Sequence, residues 1–129
     1  MIILHSPYVS VVMPVYNAER TLADAVHSIL NQTVSNLELI VCNDASTDQT
    51  RSILENISDR RLKVIHNHVN LGPGLSRDKA IEAARGKSIA VIDADDAWVP
   101  ERLEIMLKAA GSSQAIMVFD DILECHDTP

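Results

Sequence analysis

Val9-Ser10-Val11-Val12-Met13-Pro14-Val15-Tyr16-Asn17 decides how this chain is read. Its first seven residues are apolar at nearly every position. A strand wet on one face alternates, whereas a strand buried on both faces does not. The stretch therefore predicts a central parallel strand. Tyr16-Asn17 turns the chain, and Asn17 is a candidate cap for the helix that follows. In that helix Leu22, Val26, Ile29 and Leu30 recur at helical spacing and form one buried stripe.

This succession of strand and helix continues outward. Leu37 to Cys42 reads as a second strand, followed by the polar loop Asn43-Asp44-Ala45-Ser46-Thr47-Asp48 and a helix to about Ile57, with Ser46 or Thr47 as its cap. Leu62 to His66 reads as a short third strand. An Asn- and Gly-rich loop leads to a helix over about Leu75 to Arg85, which Gly86 is expected to end. Ser88 to Asp93 reads as strand four, and Pro100 as the first residue of a helix reaching about Ala110. Gln114 to Phe119 reads as a fifth strand. Such β-α repetition builds an α/β fold in three layers, a mostly parallel sheet with helices on both faces. The acidic tail from Asp120 to Pro129 does not complete it, so the domain is expected to be incomplete.

Composition narrows the function. With 18 acidic against 11 basic residues the formal charge is −7, and no Lys/Arg run exists. A nucleic-acid partner is disfavoured, because such partners need clustered positive charge. Cys42 and Cys125 do not form a disulfide framework, and no 18-residue apolar stretch spans a membrane. The N-terminal residues lack the features of a signal peptide. A cytoplasmic location is expected.

Ligands of parallel sheets bind beyond the carboxyl ends of the strands. Three polar groups fall there: Pro14-Val15-Tyr16-Asn17, Asn43-Asp44, and Asp93-Ala94-Asp95-Asp96. Three carboxylates in four residues repel one another unless a cation or hydrogen-bond donors compensate them. Hard oxygen ligands suit Mg²⁺ or Mn²⁺, which can grip a diphosphate. Asp95 is the candidate for direct metal ligation, with Asp93 beside it, while Asp96 is expected to cap or buttress the next turn. Asp44 can accept a hydrogen bond from a base N–H or a ribose hydroxyl; it can equally cap its own turn. Arg77 is the cationic candidate for a nucleotide, and Lys79 is expected to face solvent. No G-x-G-x-x-G or G-x-x-x-x-G-K-[ST] loop is present, and Gly72-Pro73-Gly74 reads as a tight turn into the third helix, in preference to a phosphate contact. Trp98 is either a lid or substrate platform, or packing. The histidines form no zinc spacing.

Four ordered motifs carry a resemblance. They are Val9 to Asn17; Leu30-Asn31-Gln32-Thr33 with Leu37 to Asp48; Asn70-Leu71-Gly72-Pro73-Gly74-Leu75-Ser76-Arg77-Asp78-Lys79-Ala80; and Ala84 to Asp96 with Pro100-Glu101-Arg102-Leu103. Over about residues 8 to 119 the chain resembles the nucleotide-sugar-binding half of family 2 glycosyltransferases with the GT-A fold. The resemblance implies inverting transfer of a sugar from a nucleotide-sugar donor, commonly a UDP-sugar. It implies that Pro14, Val15, Tyr16 and Asn17 lie against the uridine, that Asp44 bonds the uracil, and that Arg77 lies by the base. Asp93-Ala94-Asp95 would be the Asp-x-Asp motif, its last carboxylate holding Mn²⁺ or Mg²⁺. The crossover pattern and the resemblance together predict the strand order 3-2-1-4.

The sequence departs from the family at Asn43, Ala45 and Asp78, where Asp, Gly and Asn are usual. The whole of residues 1–129 is expected to be the donor-binding portion, with the acceptor-binding portion and its catalytic base absent. A non-catalytic nucleotide-binding module is the competing reading. A nucleotidyltransferase is a weaker one, since it needs a basic, glycine-rich loop where Tyr16-Asn17 stands. The donor sugar, the oligomeric state and the acceptor (glycan, lipid or protein) are not legible in the sequence.

Overall fold

A computed structural model describes residues 7–113. The expected fifth strand, the acidic tail and Cys125 lie outside the described residues. The elements in order are β1 (Val9–Val15), α1 (Leu22–Leu30), β2 (Leu37–Asn43), α2 (Thr50–Glu55), β3 (Leu62–His66), α3 (Pro73–Glu82), β4 (Ser88–Val91) and α4 (Arg102–Ser113). The four strands form one sheet in the order β3-β2-β1-β4, as expected, and every pairing is parallel. β1 is central because its apolar side chains are covered on both faces.

Strand parity divides the core. Val9, Val11, Met13 and Val15 of β1 and Leu37, Leu39 and Val41 of β2 face one side, where they meet Leu22, Ala25, Val26 and Ile29 of α1 with Leu54 and Leu103. Each large aliphatic side chain buried there stabilises the fold by about 1.5–3 kcal/mol. The other face is smaller: Val12, Ile40 and Cys42 pack against Ala80 of α3.

α3 is pinned at its C-terminal end by a buried charge. Glu38, only 3% exposed, accepts hydrogen bonds from Ser10 Oγ (2.6 Å), Lys63 Nζ (2.7 Å) and the Arg85 amide (2.7 Å). Burial pushes the Glu38 carboxyl up, but these bonds outweigh it and hold it below its usual value. The Gly86 amide donates to Ser10 Oγ at 2.8 Å. A Cβ at Gly86 would fall 2.6 Å from the Ser10 amide nitrogen, so no larger residue fits there.

Several local boundaries differ from the sequence reading. α1 starts after Thr21 rather than at an Asn17 cap, and α2 starts after Gln49 rather than at Ser46 or Thr47. Gly86 ends no helix, since α3 closes at Ala83; its role is the close approach to β1. β4 stops at Val91, two residues early, and α4 begins at Arg102 rather than Pro100.

Candidate donor-binding site

The carboxyl ends of β1 and β2 are tied into one rim by two loops. Asn17, at φ 48°, uses its carboxamide oxygen to accept the amides of Thr47 (2.8 Å) and Asp48 (3.3 Å), while its own amide donates to Ser46 Oγ. Ala18 N donates to Thr50 Oγ1, Glu19 N to Asp48 Oδ2, and Gln49 N to Glu19 Oε2. Asn and Asp supply this lattice because their short side chains reach nearby backbone and tolerate left-handed geometry. Asn17 is thus a loop staple.

The acidic segment is braced against α1. Thr21 Oγ1 donates to the Ala94 carbonyl at 2.9 Å. Gln32 Nε2 donates to the Val99 carbonyl, and Gln32 Oε1 accepts the Leu103 amide. Trp98 is buried in the core and stacks on the Arg102 guanidinium at 4.8 Å, which identifies it as packing. A turn closed by Asp96 N to Asp93 O gathers the carboxylates. Oxygens of Asp93, Asp95 and Asp96 lie within 4.8 Å of one another, all three residues being exposed. The Asp96 carboxylate therefore joins the cluster, while its amide closes the turn. Partial burial, then the charges of Asp95 and Asp93, push its carboxyl up. Opposed ligands of Mg²⁺ stand about 4 Å apart, so a small closure lets these hard oxygens share one ion.

Between these two constructions lies an open cleft of about 450 Å³, lined by Pro14, residues 16–21, Asp48, Ala94 and Asp95. Tyr16 leaves half of its surface exposed there. The carboxylates of Glu19 and Asp48 are spent on the loop lattice. The side chains of Asp95 and Arg20 are not: among the described residues neither has a hydrogen bond or ion pair.

Other candidates sit elsewhere. Val15 turns its side chain into the larger core, because its parity is opposite to that of Pro14, and offers only a carbonyl that accepts the Asp44 amide. Asp44 lies under the Asn67-to-Gly72 loop, 2% exposed, and does not line the cleft. Its Oδ1 accepts Asn67 Nδ2 (3.0 Å) and the Leu71 amide (2.7 Å); its Oδ2 accepts the Gly72 amide (2.9 Å). Burial pushes the Asp44 carboxyl up, but the bonds from Leu71, Asn67, Gly72 and Ser76 outweigh it and hold it low. Asp44 does not cap its own turn; there Asn43 Oδ1 accepts the Ser46 amide. Lys79 reaches inward after all, donating to Asn67 Oδ1 at 2.9 Å. Arg77 stands beside the acidic cluster, its Nη2 3.7 Å from Asp93 Oδ1.

Sequence reasoning missed Arg20, Glu19, Thr21 and Asp48 as cleft residues. Arg20 carried a signal, being the cation next to the β1 turn; the others became visible only once the two loops met. Among the described residues no helix is long and apolar enough to cross a membrane.

Comparison with known proteins identifies the family and the fold. The family model described as "Glycosyl transferase family 2" matches residues 10–128. The putative glycosyltransferase EpsH of Bacillus subtilis (strain 168) is 41% identical over 127 residues, covering 97% of this chain and 37% of EpsH. S. aureus TarS 1-349, solved in complex with UDP-GlcNAc, superposes with a TM-score of 0.76 at 31% identity, over 82% of this chain and 32% of that one. The mannosyltransferase PcManGT from Pyrobaculum calidifontis, solved with GDP-Man and Mn²⁺, gives a TM-score of 0.74 at 26% identity, over 82% of this chain and 33% of that one. The chain thus spans little more than a third of the length of EpsH and about a third of the two solved chains. A parallel 3-2-1-4 sheet of GT-A type, the four motifs and this match make the chain a member of glycosyl transferase family 2.

Proposed function

We propose that this chain is the donor-binding portion of a glycosyltransferase, and that its cleft takes a nucleotide-sugar, preferentially a UDP-sugar, together with Mn²⁺ or Mg²⁺. The observation that carries this reading is the cleft lined by two uncommitted charged groups, Arg20 and Asp95, the latter clustered with the carboxylates of Asp93 and Asp96. Asp95 and Asp93, joined by Asp96, would hold the cation. A bound divalent ion neutralises the charge that develops on a departing nucleoside diphosphate. Pro14 and the exposed Tyr16 offer a surface for the nucleoside, and Ala94 places its backbone between the two metal ligands. Thr21 and Gln32 brace the segment that carries Asp95, so that only a small closure is needed to meet the ligand. Arg20 faces the diphosphate from the α1 side. Asp44 acts from beneath, by shaping the loop that carries the chain into α3. The printed complexes of TarS with UDP-GlcNAc and of PcManGT with GDP-Man and Mn²⁺ support this chemistry by similarity. Within the whole protein, the sugar would pass with inversion to a glycan, lipid or protein acceptor bound by a portion beyond this one.

Calorimetric titration of the chain with UDP, with and without Mn²⁺, tests the reading. The expected result is binding that strengthens about tenfold or more with the metal, and an Asp95→Asn variant that loses most of this gain. Equal affinity in both conditions rejects it.

A further inference from the structure

Arg77 stands beside the clustered carboxylates of Asp93, Asp95 and Asp96. It lies on the second turn of α3, and its Nη2 is 3.7 Å from Asp93 Oδ1. Its Nε is buried and has no hydrogen-bond partner among the described residues. A guanidinium carries five donors in a rigid fork. Here one arm leans loosely on a carboxylate, and the inner nitrogen is unanswered.

The helix that carries it is tied down on both sides of Arg77. Near its N-terminus, Asn67 Nδ2 donates to both Ser76 Oγ and Asp44 Oδ1, and Lys79 Nζ donates to Asn67 Oδ1. Beyond its C-terminus, Glu38 and Ser10 hold the amides of Arg85 and Gly86. With the helix so tied, the simplest way for Arg77 to change partner is rotation of its own side chain, which is about one-third exposed. Arg102 also bears on Asp96, but its guanidinium is committed to the Trp98 ring.

A divalent ion ligated by Asp93 would bring two positive groups within a few ångströms of each other, and like charges at that range repel. We propose that Arg77 is a displaceable counter-ion: it neutralises Asp93 before the cation arrives, and on cation binding it turns to the anionic nucleotide, so that cation and nucleotide strengthen each other's binding. The proposal rests on the reading that Asp93, Asp95 and Asp96 hold the cation and the adjoining cleft holds the nucleotide. The coupling is reciprocal: the factor by which the cation raises nucleotide affinity equals the factor by which the nucleotide raises cation affinity.

The test is titration of Mn²⁺ into the 129-residue chain, followed by the electron paramagnetic resonance of free Mn²⁺, with and without UDP. Wild type, Arg77→Gln and Arg77→Lys are compared. Arg77→Gln removes the competing charge, so Mn²⁺ alone should bind about threefold tighter, the scale of one exposed ion pair. The same variant should lose about fivefold or more of the enhancement by UDP. Arg77→Lys keeps the charge without the fork: Mn²⁺ alone should bind within about twofold of wild type, with the UDP enhancement reduced. Unchanged or weaker Mn²⁺ binding in Arg77→Gln overturns the proposal, as does an unchanged enhancement in both variants. If wild type binds both ligands and the variants match it, only the counter-ion role falls. If wild type binds no Mn²⁺, the donor-site reading falls with it. Circular dichroism reports whether the variants are folded, and should Arg77→Gln not fold, Arg77→Lys decides alone by its UDP enhancement.

Discussion

Replacing Asp44 by Asn should destabilise the fold by about 2–4 kcal/mol, although the two side chains are nearly isosteric. The carboxylate answers three donors: Asn67 Nδ2 and the Leu71 amide on Oδ1, and the Gly72 amide on Oδ2. An amide offers one oxygen. In either orientation, its NH₂ group faces at least one donor at hydrogen-bond distance. One charge-assisted bond, worth about 1.5–3 kcal/mol, is lost, and the bonds that survive become neutral and weaker. Gly72 aggravates this, because its φ of 91° depends on the loop being held. A loss of this size is a large part of the roughly 5–15 kcal/mol that stabilises an ordinary domain. Urea unfolding followed by the fluorescence of Trp98, the single tryptophan, should show a midpoint lowered by about 1–2 M. The effect should also depend on pH. The folded-state carboxyl lies below its ordinary 3.8, so its contribution is present above that value and is lost as pH falls through the lowered one. The gap between wild type and variant should therefore narrow in acid. A loss below about 1 kcal/mol at pH 7, or a gap that does not narrow in acid, would refute the assignment of these bonds as the reason Asp44 is an aspartate.

Burial and the Arg51 charge hold His66 below its ordinary 6.5, and Asn43 Nδ2 sits 3.0 Å from its Nδ1. The unfolded chain takes up that proton first, so stability should fall as pH drops below about 6.5, and His66→Gln should flatten that part of a pH series of urea midpoints. Gly86→Ala should cost about 2–3 kcal/mol by overpacking against the β1 backbone, read as a lower thermal midpoint. Asn17→Ala should cost about 1–3 kcal/mol, through the lost bonds to Thr47 and Asp48 and the strain at φ 48°. Asn17→Gly should recover the strain part only, and thermal unfolding of the two variants separates the contributions.

Sequence alone determined the layers and, with the family resemblance its motifs carry, the order of the sheet. The apolar run from Val9 to Val15 could be satisfied only at the centre of a covered sheet, and β-α alternation with right-handed crossovers left few ways to arrange its neighbours. It also located the acidic turn after β4, since three adjacent carboxylates are conspicuous without any coordinates. What it could not decide was which polar groups remain free. Val15 and Pro14 are neighbours in the chain, yet one enters the core and the other the cleft, because side chains alternate across the sheet. Asp44 and Asp95 are both aspartates beyond strand ends, yet one is saturated by a loop 23–28 residues away and the other has no partner among the described residues. Asp96, expected to cap or buttress the next turn, has its carboxylate in the cluster, and α4 begins only at Arg102. In each case the deciding partner lies far along the chain or depends on where an element starts, and hydrogen-bond donors are apportioned by three-dimensional proximity. Local residue type does not record that.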